Sequence, residues 1–172
     1  STAKRRRMST ARRVRSGDQP LSTKFALCGG ARLAGKTRPM KRPTSDKMTV
    51  GLSGGSVVER KAIENFLSFV DSQGWEAIIR PHPRNTQNDI DWLRTLTTVK
   101  TFRDQTEWEY ADAIDIHVAG VSSIHIDVVC RGTPSLLIPS LGPLPNDIYG
   151  LVSRGLIQQV DEPKDWDPQI LD

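Results

Sequence analysis

Two short segments, Arg80-Pro81-His82-Pro83 and Gly120-Val121-Ser122-Ser123, carry the residue types that hold a phosphate. A histidine between two prolines sits in a stiff turn, and its ring donates a hydrogen bond to an anionic oxygen, or adds a charge when protonated. Arg80 and Arg84 flank it with planar guanidinium forks suited to phosphate. Ser122 and Ser123 stand at the start of a helix-like stretch, where hydroxyls and the first backbone N–H groups converge on one point. Gly54 and Gly55 form a third element, because a backbone without side chains lets a ligand approach closely. Asp127, four residues after Ser123, falls on the same helical side and is counted with the donor- and phosphate-binding set, the alternative being that it only orients the loop. Together these groups suit a reaction in which a leaving group departs as a phosphate anion and is stabilised electrostatically.

The elements that must position them alternate. Residues 48–52 form a strand, and Ser53-Gly54-Gly55 is a turn. Ser56 and Glu59 make a capping-box pair for a helix whose apolar residues recur from Val57 to Val70 and which Gly74 stops. Strands follow at 76–79, 99–102, 114–119, 135–138 and 156–160. Between them lie helices over 89–96, from the capping pair Thr106 and Glu109, over 123–130, and over 147–153 with Gly155 as its cap. Gly132-Thr133-Pro134 reads as a helix stop.

Alternating strands and helices predict an α/β fold: a Rossmann-like, doubly wound parallel sheet of about six strands in the order 3-2-1-4-5-6. That order sets strands one and four side by side at the switch point, with strand two next to strand one. The glycine, histidine and serine loops then share one edge.

Charge divides the chain. Residues 1–47 hold fourteen Lys or Arg against two Asp, a net +12, so the overall +4 leaves −8 on the remaining 125 residues. The first 47 residues read as a basic, largely disordered arm or linker, 48–162 as the nucleotide-binding domain and 163–172 as a tail. The arm is suited to a membrane surface or a polyanion, although no aromatic residue lies among its arginines to stack on bases. Gly30 to Thr37 matches a P-loop, but Pro39 and Pro43 follow where its helix must begin, which argues against that use. Cys28 and Cys130 lack metal-ligand spacing, and His117 and His125 have no Cys or carboxylate partner at such spacing. Neither a metal nor a cofactor is therefore expected. The expected location is cytoplasmic, peripheral to the inner face of a membrane if the arm engages it.

Taken as a set, Ile79 to Pro83, Ala119 to Ser123 with Asp127, and Gly132 to Ile138 resemble the carboxyl-terminal, donor-binding half of GT-B glycosyltransferases. The similar groups are the bacterial capsule polysaccharide enzymes, the polysialyltransferases and the CDP-glycerol glycerophosphotransferases. The resemblance covers residues 48–160. It implies a CMP-, CDP- or UDP-linked donor, a polysaccharide acceptor, and donor-phosphate contacts by His82, Ser122 and Ser123. It also implies that the acceptor half and the general base lie on an amino-terminal domain that this sequence does not contain. The alternatives are a nucleotide-sugar 2-epimerase-like enzyme, which normally has a Gly-Gly pair where Val121-Ser122-Ser123 stands, and a non-enzymatic nucleotide- or RNA-binding module using the arm.

Overall fold

The computed structural model of the chain describes residues 47–144 and 147–166. All but the last residue of the basic arm, with its P-loop pattern and Cys28, and the last six residues of the chain lie outside these. Short apolar runs form β1 (Thr49–Ser53), β2 (Glu76–Arg80), β3 (Thr98–Val99), β4 (Ile116–Ala119), β5 (Ser135–Leu137) and β6 (Gln158–Gln159). They pair in parallel throughout, in the order 3-2-1-4-5-6. The doubly wound α/β fold is therefore the one the alternation predicts.

The sheet is covered on both faces because its side chains alternate between two layers of helices. On one face Val50, Leu52, Ile79, Ile116, Val118 and Leu136 pack with Ile63, Phe66 and Val70 of α1 (Arg60–Ser72) and Leu93 of α2 (Gln87–Leu96). Trp166 closes the end of this layer against Phe69 and Trp75, so the packed body extends through Trp166. The opposite face carries α3 (Glu107–Ala113) and α4 (Ile124–Cys130), which contribute Tyr110, Ala111 and Val128 to a core with Ile114 and Ile78.

Register does the positioning. Ser53 pairs with Arg80 of β2 and with Ala119 of β4, so the final residues of three adjacent strands are level. The loops that begin at Gly54, Pro81 and Gly120 therefore leave the sheet side by side.

Several local expectations need correcting. The Ser56–Glu59 capping box does not form: α1 starts at Arg60, and Glu59 at its N-cap makes no side-chain capping bond. Helix α2 instead begins two residues before the predicted start, because Thr86 and Asp89 form a reciprocal capping box. The predicted box of Thr106 and Glu109 is present at α3. Strand β3 is only two residues long, and the chain turns at Thr101, whose N–H and hydroxyl both donate to Asp104. Residues 147–153 are a series of turns, not a helix. There the Asp147 carboxylate accepts the N–H groups of Leu151, Val152 and Ser153 at 2.8, 2.9 and 3.0 Å, satisfying the backbone without helical bonds. The stop after α4 is as read: Gly132 adopts φ 79°, and the N–H of Thr133 returns to the carbonyl of Val128.

Gly120, where the β4 loop begins, is needed for close packing. A Cβ there would lie 2.7 Å from the nitrogen and 2.8 Å from the Cα of Gly142, and backbone cannot yield as a side chain can. At Gly54 the nearest atom to an added Cβ is 3.5 Å away. Gly120→Ala is expected to cost about 1–3 kcal/mol of stability, the usual range for overpacking, and Gly54→Ala well under that. Urea unfolding of the two variants measures the contrast, and equal midpoints would refute it.

Candidate functional site

The level strand ends open an uncovered cleft of about 230 Å3. Six of the eight sequence-predicted residues line it: Gly54, Arg80, His82, Ser122, Ser123 and Asp127. Gly55 and Arg84 do not. Gly55 lies one residue beyond the rim with its carbonyl bonded to Asn85, and Arg84 is exposed outside the lining. Ser53, Phe102 and Glu107 join the lining without having been singled out by sequence.

The His82 ring has a defined tautomer. Its Nδ1 accepts the backbone N–H of Arg84 at 3.1 Å, so in the neutral ring the proton resides on Nε2. Partial burial, and then the neighbouring Arg84 charge, hold its pKa below the ordinary value of 6.5. At neutral pH His82 is thus an uncharged donor rather than a cation. Asn85 fixes the loop that carries it: Oδ1 accepts the His82 N–H at 2.8 Å, and Nδ2 donates to the carbonyl of Gly55 at 3.0 Å. One side chain thereby ties the histidine loop to the glycine loop.

Arg80 reaches the cleft but is already engaged. Its guanidinium donates to the Gln105 carbonyl at 2.8 Å, lies 3.5 Å from the Glu107 carboxylate and sits over the Tyr110 ring. At formal charges the lining holds Arg80 against Glu107 and Asp127, a net −1. An anion here must therefore be held by neutral donors: the His82 ring, the Ser122 and Ser123 hydroxyls and backbone N–H groups. Ser123 occupies the α4 N-cap position with no side-chain capping bond, and Ser122 Oγ meets the Ile124 N–H only at 3.5 Å.

Beneath the cleft runs a buried polar chain that sequence reasoning missed. It links Tyr110, Ser53, His117, Ser135, His125 and the carbonyl of Gly120, with separations of 3.4, 2.9, 2.7, 2.7 and 2.9 Å. Its polarity follows from the far end. A carbonyl only accepts, so His125 carries its proton on Nε2. Burial lowers the pKa of His125 to about 4 and that of His117 well below 6.5, so both rings are neutral at pH 7. Neutral His125 must accept at Nδ1 from the Ser135 hydroxyl, Ser135 accepts from His117 Nδ1–H, and His117 Nε2 accepts the proton of Ser53. The Tyr110 hydroxyl lies 3.4 Å from Ser53 Oγ at the other end of the chain. Gly51 makes this possible, since a Cβ there would lie 2.6 Å from the Tyr110 hydroxyl. The available signal was parity: Ser53, His117 and Ser135 are polar residues within apolar strand runs, all pointing to the same sheet face.

No protein-family model matches this sequence, and no curated protein matches it significantly. Among solved structures it is similar to the glycosyltransferase of kitacinnamycin, at 15% identity and TM-score 0.46 over 80% of this chain and 36% of the other. It is also similar to the β-Kdo 2,7 transferase of KpsC from Thermosulfurimonas dismutans, at 15% identity and TM-score 0.48 over 86% and 47% of the two chains. A third likeness is to the calicheamicin glycosyltransferase CalG4, at 15% identity and TM-score 0.48 over 77% and 34%. The chain spans about a third to a half of the length of these structures. At such scores the fold assignment rests on the strand order and register described above.

The neutral imidazoles make stability depend on pH. An unfolded histidine takes up a proton near its ordinary 6.5, whereas folded His125 does so only at about 4, so between these values the unfolded chain binds more protons. Stability should therefore be full above pH 6.5 and fall as the pH drops towards 4, by roughly 3 kcal/mol from this residue alone. Urea unfolding at several pH values should show that loss in the wild type and a shallower one in His125→Gln. Parallel profiles would contradict a buried neutral His125.

Proposed function

We propose that the cleft is the donor-phosphate site of a transferase that passes a sugar or polyol unit from a CMP-, CDP- or UDP-linked donor to a surface polysaccharide. The observation that carries this reading is the joint placement of the His82 ring and the Ser122 and Ser123 hydroxyls around one cleft at the switch point between β1 and β4. Open α/β sheets bind their ligands at that position, and the motifs there resemble those of the GT-B polysaccharide enzymes.

In this reading the bond to the donor's phosphate breaks and its electron pair stays on the phosphate oxygen. His82 Nε2–H donates to that oxygen, as do the serine hydroxyls, so charge developing in the transition state meets fixed donors in a site with little net charge. The acceptor hydroxyl and the base that takes its proton belong to a second body facing the cleft. Two features support such a body. The cleft is smaller than the roughly 300–1,000 Å3 of a complete ligand site. In addition, Val57, Phe102, Leu144, Ile148 and Tyr149, five of the six exposed large apolar residues among those described, lie in the segments that follow β1, β3 and β5, and Phe102 lines the cleft itself.

Calorimetric titration of CMP, CDP and UDP into the full chain tests the site. At least one is expected to bind, and His82→Ala should weaken it about tenfold or more, the loss of one hydrogen bond to a charged group. Absence of binding by all three, or unchanged binding in the variant, would overturn the assignment.

A further inference from the structure

We propose that Asn85, which lies outside the cleft lining, is a positioning residue for this site: its side-chain amide makes the histidine loop and the glycine loop one unit, so that His82 meets a bound anion in a fixed direction. This rests on the phosphate-site reading above and deepens it by naming a residue that acts through His82.

The orientation of the amide is set by its partners. A backbone N–H only donates and a carbonyl only accepts, so the atom 2.8 Å from the His82 nitrogen is Oδ1, and the atom facing the Gly55 and Ser56 carbonyls, at 3.0 and 3.4 Å, is Nδ2. A carboxylate here has no donor for those carbonyls, and an aliphatic side chain has neither group. Asn85 is itself held on both sides. Its N–H donates to the His82 carbonyl at 2.9 Å, closing the turn, and the next residue, Thr86, is the N-cap of α2 with its reciprocal box to Asp89. The same turn brings the Arg84 N–H onto His82 Nδ1, so the ring's direction follows the turn. Gly54 borders the amide closely, since the nearest atom to a Cβ added there is Asn85 Oδ1.

Two other contacts join the same pair of segments, and neither replaces the amide. Where the loops leave the sheet, the Gly54 N–H donates to the Arg80 carbonyl at 3.0 Å, which fixes the strand ends but stops short of His82. At the helix starts, Arg60 of α1 lies 3.6 Å from Asp89 and over the Trp92 ring of α2, yet its side chain is half exposed, and such pairs contribute little. Asn85 holds the segment between these points, the one that carries the imidazole. A hydrogen bond from a neutral ring weakens steeply when misaligned, so removing the amide acts on ligand binding through His82.

The experiment is a double-variant cycle on the full chain. The tightest-binding of CMP, CDP and UDP is titrated by calorimetry into wild type, Asn85→Ala, His82→Ala and the double variant, and the His82 ring is followed by NMR without ligand. Asn85→Ala should weaken binding about threefold to tenfold, the worth of one misdirected hydrogen bond, and the double variant should bind within about twofold of His82→Ala, because no ring is left to position. The His82 ring should titrate nearer to the ordinary 6.5 in Asn85→Ala than in wild type, since a freed loop exposes the ring and loosens the Arg84 N–H from Nδ1. Losses that add in the double variant, or an unmoved His82 titration, would overturn the inference and leave the phosphate site standing. Unchanged binding in Asn85→Ala would also overturn it, even with a lowered urea midpoint, since that is the mark of a purely structural asparagine. If none of the three nucleotides binds wild type, the phosphate-site reading fails and this inference fails with it.

Discussion

Two imidazoles buried between a sheet and the helices on one of its faces are tolerable only when every one of their polar atoms is satisfied, and the rest of the site follows from how this is done. His117 stands on β4 and His125 on α4, and Ser135 on β5 bridges their two Nδ1 atoms at 2.7 Å each. The chain continues through Ser53 of β1 to Tyr110 of α3, so one hydrogen-bonded path connects three strands and two helices. An unsatisfied member would cost about 1–3 kcal/mol, which ties the positions of all five side chains together. The cleft floor is rigid for this reason.

That rigidity matters because the cleft holds little positive charge. Arg80, which by type alone is its strongest anion partner, spends its guanidinium on Gln105, Glu107 and the Tyr110 ring and so anchors the loop between β3 and α3. His82 is neutral with a donor at Nε2, and Asn85 locks its loop to the glycine turn. In the proposed phosphate site, recognition by neutral donors depends on direction more than on field strength, and direction is kept by loops that are tied to one another. Gly51 and Gly120 serve the same end, one leaving room for the Tyr110 hydroxyl and the other letting the loop after β5 pack on the start of the serine loop.

Much of this was legible in the residue order. Apolar runs of four to six residues between periodic helical stretches dictate a parallel α/β sheet, because such strands must be buried on both faces, and strand order follows from the doubly wound pattern. Capping chemistry was legible only in part. Thr106 with Glu109 formed its box, whereas Ser56 with Glu59 did not and Thr86 with Asp89 did so unannounced, since any of these pairs satisfies the local pattern and packing selects among them. The turns at 147–153 were misread as a helix because the Asp147 carboxylate, a non-periodic partner, takes three N–H groups that a helix would have used internally.

By itself the sequence determined the fold class and which loops meet, because both depend on hydrophobic periodicity and on where turn residues fall. It also placed His82, Ser122, Ser123 and Asp127 together, for they follow strands that the fold makes neighbours. Only the tertiary structure decided the chemical state of the groups around them: that His82 is a neutral Nε2 donor, that Arg80 is already engaged, and that Ser53 belongs to a buried polar chain. Proton positions and charge depend on partners far apart in the chain, such as Ser53 and His117, 64 residues distant. No local pattern encodes a hydrogen bond whose two ends are joined only when three strands come into register.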